Sequence, residues 1–293
     1  GAVGIGMGTK QTIHTSRADI AVHTSAGTGL PLILLHGNSS CKEVFARQME
    51  GSVGEAYNLV AIDLPGHGAS SDAFDPPATY SIPGYAETVL EVIAALGIKR
   101  AAIYGWSLGG HVAIDLIPRF AGLAGVMITG TPPIRPTLES FQAGFKPEPV
   151  AALFGQETLS EAEMDAFARA VYGSADSAAF RAALARTDGR ARRMMIENIF
   201  NGQTADQRQI VETSDIPVAI IDGAHDPFVN LDYVAGLSIP SLWESHCFIL
   251  RGAAHAPFLT HADRFDPILA RFAADVAKRT ARRRRAPKGA AAA

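Results

Sequence analysis

A serine held between glycines is the strongest chemical signal in the chain. Residues 105–110 read Gly-Trp-Ser-Leu-Gly-Gly, which matches the Gly-x-Ser-x-Gly pattern of a nucleophile on a sharp turn between a strand and a helix. That turn places the hydroxyl at a helix N-terminus, where backbone N–H groups favour developing negative charge. Ser107 is therefore predicted to be the nucleophile of an acyl-transfer reaction.

A serine hydroxyl needs a base and a carboxylate to activate it. Later segments supply both, in the order serine, acid, histidine that suits such a turn. His255, within Gly-Ala-Ala-His-Ala-Pro-Phe, is predicted to take the proton from Ser107 and return it to the leaving group. Asp226 is predicted to orient the imidazole, with Asp222 as the rival acid. Asp226 is preferred because Asp222 directly follows an apolar run and is placed to cap a turn.

Backbone N–H groups that could hold the reaction's oxyanion are predicted at two places. Residues 36–39 read His-Gly-Asn-Ser after the first buried apolar run. On such a fold the loop there supplies one N–H, and the residue after the nucleophile supplies the other. These donors would be the amides of Asn38 and Leu108. Three other histidines are predicted to be structural: His36 and His67 in glycine turns, and His111 bonded internally on the helix behind the serine.

The elements that must position these residues alternate between strands and helices. A weak hairpin is predicted at residues 12–14 and 19–23, and apolar strand-like runs lie at 31–35, 59–62, 101–104, 123–129, 216–221 and 247–250. Helical patterns lie at 85–96, 108–120 and 263–279. This alternation indicates an α/β fold with a mostly parallel twisted sheet and helices on both faces.

One long stretch breaks the alternation. Between residues 132 and 213 the sequence predicts helices at 161–171, 177–185 and 191–199 with no strand among them. We interpret this stretch as a helical cap inserted between two strands. The predicted organisation is a core in two parts, 12–131 and 214–279, the cap at 132–213, and a basic, disordered tail at 280–293.

Composition narrows the class of protein. The chain has 293 residues, a net charge of −3 and two cysteines, Cys41 and Cys247. No apolar run approaches the about 20 residues that span a bilayer, and the glycine-rich residues 1–10 do not resemble a secretory signal. The predictions are reduced thiols, a cytoplasmic location, no nucleic-acid partner and no membrane span. No metal-ligand spacing is present, so neither a metal nor another cofactor is expected. The oligomeric state is left open.

Together these motifs resemble the α/β-hydrolase superfamily in order and spacing. More narrowly, the chain is similar to the metal-independent N-acyl-homoserine lactonases of that fold, from about residue 12 to about residue 275. The narrower features are Met-Ile-Thr-Gly-Thr-Pro-Pro at 127–133, Arg-Thr-Asp-Gly-Arg-Ala-Arg-Arg at 186–193, Asp-Pro-Phe-Val at 226–229 and Leu-Trp-Glu at 242–244.

The resemblance implies opening of the lactone ring of bacterial quorum-sensing signals, with Ser107, His255 and Asp226 as the triad. It also implies that Asn38, with Trp106 or Leu108, surrounds the oxyanion and the lactone. Two departures stand out. The acid, which can be glutamate in that group, is aspartate here, and Phe167 stands where a cap tyrosine is expected.

An acyl chain would need an apolar wall, and we expect the cap to provide it. The aromatic candidates are Phe141, Phe145, Phe154, Phe167 and Tyr172. The alternative is that these rings only pack the cap helices together. Two other functions stay open: a general carboxylesterase or C–C bond hydrolase with the same triad, and a non-catalytic receptor for small molecules. The expected partner is a small-molecule substrate, an acyl lactone or an ester.

Overall fold

The structure is a computed structural model that describes residues 8–285. Residues 1–7, which belong to the segment left out of the fold prediction, lie outside the described part of the chain. So do residues 286–293, which form most of the predicted tail.

Eight strands form one sheet in the order β1-β2-β4-β3-β5-β6-β7-β8. Their bounds are β1 Thr9–His14, β2 Asp19–Thr24, β3 Thr28–Leu35, β4 Tyr57–Ile62, β5 Ala101–Trp106, β6 Leu123–Thr129, β7 Val218–Gly223 and β8 Phe248–Leu250. β1 pairs with β2, and β2 with β4, in antiparallel orientation. The other neighbouring pairs, β4 with β3, β3 with β5, β5 with β6, β6 with β7 and β7 with β8, are parallel. The mostly parallel sheet predicted from the apolar runs is confirmed.

Helices cover both faces of this sheet. Those outside the cap are α1 Ala46–Glu50, α2 Ser52–Ala56, α3 Pro76–Thr79, α4 Ile82–Ala95, α5 Leu108–Leu116, α11 Leu231–Ala235, α12 Pro257–Thr260 and α13 Ala262–Arg285. Short 3₁₀ turns lie at Lys42–Phe45 and Trp243–Ser245.

The apolar side chains of the strands pack into two separate cores, one on each face of the sheet. Ile33 and Leu35 of β3 belong to the core under α4 and α5, whereas Leu32 and Leu34 belong to the core under α13. Successive side chains of a strand point to opposite faces. A strand buried on both faces must therefore be apolar at every position, which is why these runs are continuous.

The stretch between β6 and β7 contains only helices in the described structure. These are α6 Leu138–Gly144, a 3₁₀ segment Pro149–Gly155, α7 Glu161–Tyr172, a 3₁₀ turn Ser177–Phe180, α8 Arg181–Arg186, α9 Gly189–Phe200 and α10 Gln207–Glu212. The Ser160 side chain accepts a hydrogen bond from Glu163 N, and the Glu163 carboxylate accepts one from Ser160 N. This reciprocal capping box starts α7 where the sequence predicted it. The domain limits at residues 132 and 213 stay a prediction.

The last helix is longer than expected. The sequence predicts its end at Arg279 and a disordered tail after it, but α13 continues through the arginine run to Arg285. Arginine is a good helix former, and the first residue after Arg279 that opposes a helix is Pro287, beyond the run. Among residues 8–285, no helix combines the length and the apolar character needed to cross a membrane.

Candidate active site

The turn between β5 and α5 holds Ser107 in a conformation that few residues adopt. Its φ of 54° and ψ of −117° carry backbone strain of the kind that persists only where the surroundings enforce it. A Cβ on Gly105 would lie 2.1 Å from the carbonyl oxygen of Gly109, and a Cβ on Gly109 would lie 2.1 Å from that of Leu35. Both glycines are therefore required for the close approach of this turn to its neighbours.

His255 and Asp226 form a buried hydrogen-bonded pair. The distance from His255 Nδ1 to Asp226 Oδ2 is 2.7 Å, and the other carboxylate oxygen accepts from the backbone N–H groups of Phe228 (2.9 Å) and Val229 (3.3 Å). Burial raises the pKa of Asp226, but the His255 charge and these hydrogen bonds outweigh it and hold the pKa below its ordinary value. An ionised Asp226 keeps the proton on His255 Nδ1 and leaves Nε2 free to accept one.

Asp222 lies beside this pair but makes no hydrogen bond to His255 within the described residues. Its carboxylate accepts from the backbone N–H of Gly130 at 2.7 Å. Burial, with a contribution from the charge of Asp226, raises the pKa of Asp222 to about 7. Gly130 has a φ of 66°, and a Cβ there would lie 2.7 Å from His255 Cε1. Asp222 thus fixes the turn against which the His255 ring packs.

The loop after β3 passes directly against Ser107. A Cβ on Gly37 would lie 3.2 Å from the Cβ of Ser107, and Asn38 and Leu108 line the same cavity as Ser107 and His255. Within residues 8–285 the backbone N–H groups of Asn38 and Leu108 donate to no protein acceptor. Two unused donors beside a serine are what an oxyanion requires.

A buried arginine of the cap holds this loop. Arg192 on α9 donates to the carbonyl oxygens of Gln156 (2.7 Å) and Glu157 (2.8 Å) and to Ser39 Oγ (3.1 Å). Ser39 has a φ of 61°, and its hydroxyl donates to Asn38 Oδ1 at 2.9 Å. Asn38 Nδ2 in turn donates to the carbonyl oxygen of a cap residue, Phe154, at 2.9 Å. The cap and the loop beside Ser107 are therefore joined by one hydrogen-bond network.

The cavity over Ser107 is apolar and has a volume of about 420 Å³. Three of the predicted cap aromatics line it: Phe141, Phe145 and Phe154. Seven residues that were not predicted as site residues also line it: Ile82, Lys146, Met195, Ile196, Ile199, Phe200 and Phe228. The sequence does show that the residues on α9 are spaced along one helix face. Such spacing does not tell whether the face lines a cavity or packs in a core.

Three predicted substrate contacts lie behind the cavity instead of in its wall. Phe167 is fully buried and packs edge-on against Phe154 at 4.9 Å between ring centres. Tyr172 packs between Trp106 and Phe180. For Phe167 and Tyr172 the packing alternative therefore describes the structure, because α7 turns its aromatic face toward the core.

Trp106 is also absent from the cavity wall. Its indole Nε1 donates to the carbonyl oxygen of His255 at 2.8 Å, which fixes the histidine loop over the strand that carries the serine. The role of Trp106 in the structure is thus to support the histidine and not to contact the space over Ser107.

The three histidines predicted to be structural divide into two kinds. His36 and His67 are fully buried, and both ring nitrogens of each form hydrogen bonds with backbone groups. Burial lowers the pKa of His36 to about 4 and that of His67 to about 3. His111 bonds internally as expected, with Nδ1 2.6 Å from Gln207 Oε1. Its ring also lines the cavity, because its position one turn after Ser107 puts it on the same side of α5. Lys146, missed in the sequence, donates from Nζ to the carbonyl oxygen of Asp226 at 3.1 Å.

The comparison with known families agrees with this geometry. Residues 32–267 match the model of the alpha/beta hydrolase family. The chain belongs to that family. A crystal structure of the N-acyl homoserine lactonase AidH complexed with N-butanoyl homoserine superposes on this hydrolase with a TM-score of 0.89 and 44% identity, covering 92% of this chain and 97% of the other. An AidH variant complexed with N-hexanoyl homoserine lactone superposes equally well, covering 98% of that chain.

A second relative of this hydrolase is a methyl ester esterase. The pimeloyl-[acyl-carrier protein] methyl ester esterase of Xanthomonas axonopodis pv. citri (strain 306) is 32% identical over 262 residues, which is 85% of this chain and 97% of that protein. These relatives and the family agree on the class of reaction. The protein is an enzyme that hydrolyses carboxylic esters or lactones.

Proposed function

We propose that this hydrolase opens the lactone ring of N-acyl-homoserine lactones, with Ser107 as nucleophile, His255 as base and Asp226 as acid. The observation that carries the proposal is the likeness to AidH, at 44% identity over 92% of the chain. The apolar cavity beside Ser107 supports it, since an acyl chain needs such a wall.

The proposed reaction begins with attack of Ser107 Oγ on the lactone carbonyl while His255 Nε2 takes the hydroxyl proton. The resulting oxyanion lies between the amides of Asn38 and Leu108, each of which is worth about 3 kcal/mol in the barrier. The ring C–O bond then breaks, and His255 delivers its proton to the departing alkoxide. The product of this half-reaction is an acyl-enzyme that carries a free hydroxyl group.

Water completes the cycle. The new hydroxyl stays tethered to the acyl-enzyme, so it could attack the ester and close the ring again. A water molecule activated by His255 must react first and release the N-acyl-homoserine. Ring opening of these signals would stop the bacterial communication that depends on them, which is the basis for proposing a quorum-quenching role. The cytoplasmic location stays a prediction from the sequence.

The acyl chain is proposed to lie against Phe141 and Phe145 and the apolar face of α9. Each methylene that moves from water into this wall contributes about 0.8 kcal/mol. The value of kcat/KM should therefore rise with acyl length until the cavity of about 420 Å³ is full. Equal kcat/KM for four-carbon and ten-carbon acyl chains would contradict this part of the proposal.

The second candidate is a carboxylesterase with the same triad. It is favoured by the methyl ester esterase that is 32% identical to this chain. A panel of acyl-homoserine lactones and of methyl and aryl esters separates the two. The proposal predicts higher kcat/KM on the lactones, and efficient ester hydrolysis without lactone turnover would replace it with the esterase.

Ser107→Ala tests the nucleophile in the same panel. Removing a triad serine lowers kcat by about a millionfold, so the variant should release no protons from a lactone above background. The matched control is Ser70→Ala, since Ser70 is also buried but bonds the backbone of Asp63 and Ala21. If the protein is a non-catalytic receptor, neither the natural protein nor Ser107→Ala should turn over a lactone, and both should bind it equally.

A further inference from the structure

The cavity over Ser107 has one polar ring in a wall that is otherwise apolar at that end. His111 lies on α5 one helical turn after Ser107, and its ring centre is 6.2 Å from that of Phe145. Ile82, Phe141 and Ile199 line both this cavity and a small pocket beside His111, in which Thr204 and Gln207 are the other polar residues. A polar atom among such side chains is costly unless it has a hydrogen-bond partner.

A buried glutamine determines which ring nitrogen of His111 carries the proton. Gln207 on α10 donates from Nε2 to the carbonyl oxygen of His111 at 2.8 Å. Its Oε1 faces His111 Nδ1 at 2.6 Å. Because the amide NH₂ is already turned toward the carbonyl, Oε1 can only accept, and Nδ1 must donate to it. The proton of the neutral ring is thus on Nδ1.

The other ring nitrogen is then a bare acceptor. Burial lowers the pKa of His111 to about 4, so the ring is neutral near pH 7 and Nε2 carries a lone pair. Within residues 8–285 no side chain or backbone group donates to Nε2. A substrate that fills the cavity with methylenes alone would leave this acceptor unsatisfied.

We propose that His111 Nε2 forms a specificity subsite that accepts a hydrogen bond from a hydroxyl group on the substrate's acyl chain. The inference rests on the proposed function, since it concerns the acyl chain of the same substrates. A hydroxyl donates to Nε2, a methylene does not, and a ketone presents a second acceptor to it. The preferred order is therefore hydroxyacyl, then unsubstituted acyl, then oxoacyl.

The position of the hydroxyl follows from the helix. His111 lies four positions after Ser107, which is a rise of about 6 Å along the helix axis. In an N-acyl-homoserine lactone, carbon 3 of the acyl chain is five bonds from the reacting carbonyl, which is also about 6 Å when extended. A hydroxyl on carbon 3 therefore matches the subsite.

The test compares kcat/KM for three lactones of equal length: N-decanoyl, N-(3-hydroxydecanoyl) and N-(3-oxodecanoyl). One neutral hydrogen bond corresponds to a preference of about twofold to tenfold. We expect the natural protein to favour the hydroxy over the plain chain by that factor, and His111→Phe to bring the ratio to about one. A ratio that is already one in the natural protein, or unchanged in His111→Phe, would overturn the subsite.

Two further variants separate the subsite from a change in packing. Gln207→Leu removes the acceptor that keeps the proton on Nδ1, so Nε2 can donate. We expect its hydroxy preference to fall and its activity on the oxo chain to rise relative to the plain chain. Phe145→Leu is the matched control, because it alters the apolar wall without a polar group. Its rates should change for all three chains while their ratios stay. Loss of the hydroxy preference in Phe145→Leu, or its full retention in Gln207→Leu, would contradict the inference.

Aryl esters distinguish failure of the subsite from failure of the lactonase proposal. In an aryl decanoate, carbon 6 is five bonds from the reacting carbonyl, so a hydroxyl there should reach His111 as well. Turnover of the esters with a preference for 6-hydroxydecanoate, but no turnover of lactones, would refute the lactonase and keep the subsite. Lactone turnover with no preference in either series would keep the lactonase and refute the subsite.

Discussion

Replacing Asp226 by asparagine should trap His255 in the wrong tautomer. In the natural protein one carboxylate oxygen accepts from His255 Nδ1 at 2.7 Å, and the other accepts from the backbone N–H groups of Phe228 and Val229. An asparagine has a single acceptor oxygen. Two fixed backbone donors hold that oxygen on their side, so the amide NH₂ faces His255. The ring must then accept at Nδ1 and carry its proton on Nε2, where it cannot take the proton of Ser107.

The expected loss in kcat is about 10⁴-fold, the size seen when the orienting acid of a serine–histidine pair becomes an amide. The fold should survive, since the backbone hydrogen bonds around residue 226 are kept. KM should change little, because the acid does not line the cavity. A pre-steady-state assay of aryl ester hydrolysis should show that the acylation step, and not product release, is slowed.

Asp222→Asn is the matched control for this experiment. Asp222 is the same residue type, is also buried and lies four positions earlier, in β7, but its carboxylate accepts from Gly130 N and not from the histidine. An asparagine oxygen can still accept from Gly130, so kcat should fall less than tenfold. Equal losses in the two variants, or the larger loss in Asp222→Asn, would refute the assignment of Asp226 as the acid.

Three further predictions concern the surroundings of Ser107, Asp226 and His255. Arg192→Met frees Ser39 and the loop beside it, so kcat and the affinity for a trifluoromethyl ketone analogue should fall together by about tenfold. Arg193→Met, which removes an exposed arginine on the same helix, should leave both within twofold. The folded-state pKa of Asp222 is raised to about 7, so its contribution to stability is complete below about pH 4 and is lost as pH rises through 7. The buried histidines His36, His67 and His111, whose pKa values are lowered, add stability as pH rises over much of the same range. The Asp222 contribution is therefore measured as a difference: between pH 4.5 and 7.5, the free energy of unfolding of the natural protein should fall by a few kcal/mol relative to that of Asp222→Asn. Ile199→Ala removes part of the apolar wall, so kcat/KM for a ten-carbon acyl chain relative to a four-carbon chain should drop by about fivefold.

The sequence determined the sheet and the nucleophile turn because both depend on local sterics. A strand buried on two faces must be apolar throughout, and the runs ending before Gly37 and Ser107 show this directly. The glycines at 105 and 109 mark a turn that no other residue fits. The loops that carry Asp226 and His255 were predictable for the same reason, since the carboxyl ends of parallel strands meet at one edge.

Other features depend on which way a helix faces, and a sequence pattern does not fix that. Periodicity shows that α7 and α9 each have an apolar side, but only packing decided that Phe167 turns to the core while Ile199 turns to the cavity. Arg192 was one arginine among several until its burial set it against Ser39.

The choice between Asp222 and Asp226 was also tertiary. Asp226 lies four positions after Asp222, one of them near the end of β7 and the other just after it. The sequence therefore distinguished them only by which of the two is placed to cap a turn. The structure distinguishes them by a single contact, the 2.7 Å from Asp226 to His255. His111 is the same kind of case: its tautomer depends on Gln207, which is 96 residues away in the chain. Local rules fixed the backbone at each predicted site residue, and contacts between distant segments decided what each side chain contacts.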